Sequence, residues 1–322
     1  IGAYPKPNYL KITDWFNAKG GTDTANPTKF YNDEIRKMGN DADKIFKKAA
    51  EDVIKDQLDC GIDIITDGEI KRENYIHYHC RHLNGVDFNT LTEKVARTGN
   101  YKCWLPTITD KISATEPFLV DEWKSNQSIS SKPVKVTIPG PMTITDTIAN
   151  SYYKSDDEMG YDLAIAINIE IKRLVEAGCK YIQVDQPLFA RKPENALNFG
   201  ISNLEKCFEE INDNSIEKIT HICCGYPDKI DAIDYPKAPL DSYNKIAKAL
   251  DKSIIDSVSI EDAHRYNNLS LLSDYEQTKV IFGVIKIASS SIETEKEIEN
   301  RINEALKYIS KEQLILAPDC GL

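Results

Sequence analysis

The chain has 322 residues and 36.4 kDa, enough for one large domain or two ordinary ones, and 41% hydrophobic residues are enough for a sizeable core. A net charge of −11 and a pI near 5.1 argue against nucleic acid, whose phosphates such a surface repels. No apolar run approaches the roughly 18 residues of a membrane span and no signal peptide is visible, so no membrane partner is expected. Of eight cysteines, Cys60, Cys103, Cys179 and Cys207 are scattered without a small-domain framework, and the adjacent Cys223-Cys224 pair is a poor bridge. A reduced, cytoplasmic protein is expected. The chain begins mid-pattern at Ile1 and stops just after Cys320, so a few terminal residues are expected beyond it.

In chain order, short β-rich runs alternate with longer amphipathic stretches. Ile1–Tyr4 comes first, followed by a Gly20-Gly21 pair within Ala18–Asn26 that reads as a flexible surface loop. A helix is predicted over Asp41–Cys60, with Ile45, Phe46, Ala49, Val53, Ile54 and Leu58 on one face. Ile62–Thr66 is the second run and ends in Asp67-Gly68-Glu69. The interval Lys71–Lys132 is too long for a βα loop and holds Asn84-Gly85, Thr98-Gly99-Asn100 and several aromatics. It reads as an insertion after the second strand, containing a β-hairpin and a helix. Val134–Ile138 leads to Pro139-Gly140-Pro141, and a helix over Asp162–Gly178 stops at its glycine. Then come Tyr181–Asp185, Ile219–Cys223, Ile255–Ile260 with Glu261 after it, Val280–Ile285, a helix over Ile292–Ile309, and Leu314–Ala317 before Asp319-Cys320.

Strand then helix, repeated eight times, predicts an α/β chain folded as one (β/α)8 TIM barrel over 1–322, with residues 71–132 covering its mouth. A doubly wound open sheet is the rival. Nearly every strand ends in a chemically capable group, which favours the barrel: it gathers all its strand ends around one mouth, whereas an open sheet places only a few at its switch point.

His221, Cys223, Glu261 and Cys320 together offer one imidazole, two thiols and a carboxylate, a set that a tetrahedral Zn2+ accepts. Alternate residues of a strand face the same side, so His221 and Cys223 both point one way. The four converge only if the chain closes. Otherwise the cysteines are small buried hydrophobes, Glu261 is a helix cap and His221 a satisfied core residue. A competing metal candidate is His77-Tyr78-His79-Cys80-Arg81-His82, where Arg81 would repel a cation; pocket lining is the stronger expectation for it. Arg72, Asn74 and Tyr75 also read as pocket residues, and His264 as a surface or helix-start residue. Asp185 and Glu69 are either an ammonium clamp or structural carboxylates in caps and salt bridges.

Ile1-Gly2-Ala3-Tyr4-Pro5, Thr66-Asp67-Gly68-Glu69, Gly140-Pro141-Met142-Thr143, Ile182 to Pro187, His221-Ile222-Cys223, Ser259-Ile260-Glu261, Gly283-Val284-Ile285 and Pro318 to Leu322 occur in a telling order. In that order they resemble the C-terminal catalytic barrel of cobalamin-independent methionine synthase, over essentially the whole chain. The resemblance implies zinc bound by His221, Cys223, Glu261 and Cys320. It also implies homocysteine as methyl acceptor, its ammonium held by Asp185 and Glu69 and its carboxylate near the Ile1-Gly2-Ala3 turn. A free thiol is mostly protonated at neutral pH, and a sulfur-rich, net negative zinc site suits thiolate alkylation better than hydrolysis. Glu261 is the ligand expected to yield when substrate sulfur arrives.

The chain also departs from that family. No counterpart of the second, N-terminal barrel is expected; Lys286 and Ala288 stand where the family places Asp and His; and Gln186 follows Asp185 where Glu is common. These departures leave the methyl donor open among a folate, a corrinoid (on a corrinoid protein partner) and a small methylated sulfonium or ammonium compound. Tyr75, Tyr78, Phe88, Tyr101 and Trp104 are either a cage for a methylated cation or a hairpin core, with the core favoured. Three other functions stay open: epoxide-opening transfer to coenzyme M, a uroporphyrinogen-decarboxylase-like lyase, and a non-catalytic corrinoid- or thiol-binding barrel.

Overall fold

Strands made of unbroken apolar runs must be covered on both faces, and helices on a parallel sheet do this most simply. A computed structural model of the chain has that arrangement; it describes residues 1–12, 25–96, 101–226, 230–232 and 235–322. The strands are β1 (Ile65–Thr66), β2 (Leu83–Ala96), β3 (Tyr101–Ala114), β4 (Val134–Pro139) and β5 (Ala149–Asn150), then β6 (Tyr181–Asp185), β7 (Glu217–Ile222), β8 (Ser257–Ile260), β9 (Lys279–Ile285) and β10 (Leu314–Pro318). Seven form one curled sheet in the order β1-β4-β6-β7-β8-β9-β10, every neighbouring pair parallel. These seven correspond to seven of the eight predicted runs.

The remaining run, Ile1–Tyr4, is a strand only in name. Ala3 makes a single parallel bridge to Gly68, Tyr4 donates its N–H to Gly68 O at 3.0 Å, and Leu322 donates to Ala3 O at 2.9 Å. Pro5 and Pro7 lack an N–H, so the ladder cannot continue. The segment nonetheless lies between the first and last strands of the sheet.

The helices largely follow their periodicity. Ala42–Asp59 buries Phe46, Ala49, Ala50, Val53 and Ile54. The helix predicted from Asp162 begins earlier and spans Asp156–Ala177, because Ser155 accepts the Glu158 N–H at 3.2 Å and three acids occupy the first turn. It ends where expected, on Gly178 at φ 103. Glu295–Ala305 is shorter than the predicted Ile292–Ile309, since a capping box between Thr294 and Glu297 sets its start.

The predicted insertion contains the hairpin β2–β3, to which β5 adds in parallel, and a six-residue helix Tyr75–Cys80 capped by Asn74. Its last part has a different role. The helix Val120–Ser128 packs on Ala42–Asp59, Asp156–Ala177 and β4, and Trp123 donates its indole N–H to Val134 O at 3.0 Å. It is the crossover helix between β1 and β4, so the inserted part ends before it. The Gly20-Gly21 loop and Thr98-Gly99-Asn100 lie outside the described residues. All eight cysteines are unpaired, and among the described residues no helix is long and apolar enough to cross a membrane.

Candidate active site

Parallel pairing aligns the strand ends. Asp185 of β6, His221 of β7 and Ser259 of β8 are register partners, and a step of two along β6 places Gln183 beneath Asp185 on the same side. His221 Nε2 lies 3.3 Å from Cys320 Sγ, and its Nδ1 is 2.9 Å from Ser259 Oγ. With Nδ1 engaged by Ser259, Nε2 is the nitrogen aimed at the sulfurs. His221 Nε2, Cys223 Sγ and Cys320 Sγ all lie within 4.8 Å of one another. The thiols share a proton: a hydrogen bond from Cys320 holds Cys223 well below the ordinary thiol range, and the same bond pushes Cys320 up.

Glu261 lies apart from this trio. Its ligating oxygen groups with His264 and Asp319, Lys237 Nζ donates to Oε1, and the Cys224 N–H donates to Oε2 at 3.0 Å. Burial pushes the Glu261 carboxyl up, while Lys237 opposes. The second trio is not a metal site of the same kind, because its groups are already committed. Asp319 accepts the N–H groups of Asp262, Ala263 and His264 and the His264 Nδ1 proton, and His264 Nε2 accepts the Ala288 N–H at 3.1 Å. These bonds pin the turn after β8. They also correct the reading of His264, whose side chain is 6% exposed and so neither a surface nor a helix-start group.

On the other side of the mouth, Glu69 has φ 56, an uncommon value for a non-glycine residue. Asp67 accepts its N–H at 3.0 Å, and the carboxylate is met by Thr137 Oγ1 at 2.7 Å and Arg72 Nη1 at 3.1 Å. A Cβ at Gly2 would lie 2.6 Å from Glu69 Oε1, so any larger residue there would push this carboxylate from its place. Asp185 is 7% exposed, and burial pushes its carboxyl up to about 6, with Glu69 adding to the shift and His221, Gln183 and Lys135 opposing it. The Gln183 amide donates to Asp185 Oδ1 at 2.7 Å and accepts from Lys135 Nζ at 2.5 Å. Burial in turn lowers Lys135 to about 8.

The two families of candidate residues separate here. His221, Cys223 and Cys320 come together, Glu69 and Asp185 influence one another across the same mouth, and Ile1, Gly2 and Ala3 border Glu69 and Gly321. The His77–His82 cluster does not form a site with them. His77 bonds Thr28 Oγ1 and Thr147 O, both at 3.1 Å; His79 Nδ1 bonds Tyr75 O at 2.7 Å; and His82 stacks on Phe118 with centroids 4.2 Å apart. Arg81 pairs with Glu73 at 2.8 Å. Nor do the aromatics gather into one cage. Tyr78 is core, Phe88 lies under Arg81, Trp104 is 43% exposed, and the Tyr101 side chain lies outside what is described. Tyr75 alone reaches the site, where burial and then Asp185, Cys223 and Cys320 push its phenol up.

Sequence reading missed Ser259, Gln183, Lys135, Tyr226 and Lys237. The first three had a signal: each is a polar residue at an inward position of an otherwise apolar strand. Tyr226 and Lys237 come from the loop after β7 and had none.

The family model described as "Cobalamin-independent synthase, Catalytic domain" matches residues 22–322. The methionine synthase of Saccharolobus solfataricus is 30% identical over 325 residues, covering 100% of this chain and 86% of that protein. That of Sulfolobus acidocaldarius is 29% identical over 324 residues, covering 100% and 84%. Among solved structures, a B12-independent methionine synthase from Shewanella sp. W3-18-1 in complex with selenomethionine superposes with a TM-score of 0.84 at 28% identity, over 99% of this chain and 89% of that one. A putative vitamin-B12-independent methionine synthase from Listeria monocytogenes shares the fold, with a TM-score of 0.67 at 22% identity, over 99% and 92%.

Proposed function

The chain belongs to the cobalamin-independent methionine synthase family of methyltransferases, and we propose that it methylates the thiol of homocysteine to give methionine. The observation that carries this reading is the approach of His221 Nε2, Cys223 Sγ and Cys320 Sγ to within 4.8 Å of one another at the ends of two strands, β7 and β10. One nitrogen and two sulfurs suit zinc, and Glu261, whose carboxylate accepts the N–H of Cys224 beside Cys223, would supply a fourth donor. A zinc ion held there would keep a substrate thiol in its thiolate form at neutral pH. The selenomethionine bound by the Shewanella relative is the product amino acid with selenium in place of sulfur, which fits the same acceptor.

The chain's own groups do the remaining work. Ser259 fixes the imidazole orientation, and the hydrogen bond between the two thiols holds Cys223 below the ordinary thiol range at the expense of Cys320. Asp185 and Glu69 would hold the substrate ammonium, with Thr137 and Arg72 fixing Glu69 and the Lys135–Gln183 pair fixing Asp185. The Ile1-Gly2-Ala3 turn would face the substrate carboxylate. In the transfer, the thiol gives up its proton, a new S–CH3 bond forms, and the donor's leaving group departs with the electrons of the broken C–X bond. Neither Lys286 nor Ala288 carries an imidazole, and His264, which reaches this loop, is committed to Asp319 and the Ala288 N–H, which favours a donor whose leaving group needs little acid assistance.

We further read residues 1–322 as one domain whose sheet closes into a (β/α)8 barrel through Ala3, on the strength of its bonds to both Gly68 and Leu322. The proximity of Tyr75 to Cys223 and Asp185 supports a mouth flanked by the 71–132 segment. Incubation of purified protein with homocysteine and, separately, methyl-folate, methylcobalamin or a methylated sulfonium tests the reading. Methionine formed from at least one donor supports it. No methionine from any of them, with zinc at one equivalent, overturns it.

A further inference from the structure

Glu261 is 1% exposed, and both of its carboxylate oxygens are engaged: Oε1 by Lys237 Nζ and Oε2 by the Cys224 N–H. The Lys237 side chain is itself only 10% exposed. It reaches Glu261 with its ammonium 5.1 Å from the Tyr226 ring centroid and 5.2 Å from that of Tyr235. This is a built contact, since a long cation has been brought out of water along an aromatic channel onto one buried acid.

We propose that Lys237 is a positioning residue that competes with the metal for Glu261, and so sets how readily the ligand expected to yield to substrate sulfur joins or leaves the ion. The proposal rests on the zinc reading above. A buried carboxylate without a counter-charge is costly, so Glu261 is held as an anion only while Lys237 or the ion compensates it. Engaging the ion means releasing Lys237, and leaving the ion means returning to it. The other three groups are tied within the site itself, Cys223 and Cys320 to each other and His221 Nδ1 to Ser259. When an incoming thiolate needs a position, the ligand with a waiting partner is the one that gives way at least cost.

The test is zinc affinity by competition with a chromophoric chelator, for the parent, Lys237→Met and Lys237→Arg. Methionine keeps an unbranched stem between the tyrosines and removes the charge. We expect Lys237→Met to bind zinc about tenfold more tightly or better, because the competing cation is gone, and Lys237→Arg to return to parental affinity. If Lys237→Met does not fold, Lys237→Gln carries the same expectation. In a Glu261→Gln background the Lys237→Met change should leave affinity unmoved. With folded proteins, a Lys237→Met affinity at or below the parent's overturns the proposal, as does a gain that persists with Glu261→Gln. Failure of all forms to hold stoichiometric zinc overturns the zinc reading itself.

Discussion

Two regions of this molecule are rich in metal-capable side chains, and only one of them assembles a site. In the helix Tyr75–Cys80 and just after it, three histidines and a cysteine lie within six consecutive positions, yet the histidines meet separate partners and Cys80 is buried in the core. Successive residues of a helix point about 100° apart, so close sequence spacing scatters them. At the sheet edge the chemically capable residues are up to 99 positions apart, as with His221 and Cys320, and meet at 3.3 Å. Parallel register and the curl of the sheet, which brings the ends of β7 and β10 together, do the gathering. Density of ligand-type residues along the chain is therefore a weak guide, and their position at strand ends is a strong one.

Breaking each region should reveal the contrast. Cys320→Ser is expected to lower zinc affinity roughly 100-fold or more and to abolish methyl transfer, as measured by metal content after dialysis. His77→Asn should leave metal content untouched. Metal retained in the first variant and lost in the second would reverse the assignment.

The proposed ammonium clamp should give the next largest effect. Asp185→Asn should weaken methionine binding roughly 10- to 100-fold by calorimetry, the worth of a charge-assisted contact. The Asp185 carboxyl titrates at about 6, so below that pH it is neutral and affinity should fall about tenfold per unit. The variant should show no such slope. The same shift acts on stability with the opposite sense. The folded state holds this proton up to about 6 whereas the unfolded chain releases it near 3.8, so the Asp185 contribution declines as pH rises between those values. Next in size, Ser259→Ala frees the His221 ring and should cost about tenfold in zinc affinity.

The smallest and most diagnostic effect belongs to the insertion. Burial lowers His77 from 6.5 to about 3, so the unfolded chain takes a proton that the folded one refuses. Its stabilising contribution is complete above pH 6.5 and is lost as pH falls toward 3. Hydrogen exchange in β2 and β3 should accelerate over that window, and His77→Asn should flatten the response. Exchange indifferent to pH beyond its intrinsic chemistry would remove the insertion's histidines from the stability account.

Much of this architecture was legible because the physics is local. Apolar runs bounded by turn residues give seven strands, and periodicity gives the helices with end errors that caps such as Ser155 and Thr294 explain. The ligand-type residues were legible because they terminate those runs. What could not be read is whatever depends on loops returning to the mouth. The Lys237–Glu261 pair joins a loop after β7 to the end of β8, and the His264–Asp319 pair joins the turn after β8 to the end of β10. Neither has a periodic signature. The first strand misled for a different reason: Ile1–Tyr4 has a strand's composition, but proline cuts its ladder to one bridge.

Zinc-edge X-ray absorption of the purified protein, recorded with and without homocysteine, tests the central claim most directly. The account predicts one zinc with two sulfurs and a mixed nitrogen and oxygen shell, gaining a third sulfur and losing an oxygen when homocysteine is added. Absence of zinc, or a shell that homocysteine leaves unchanged, would contradict it.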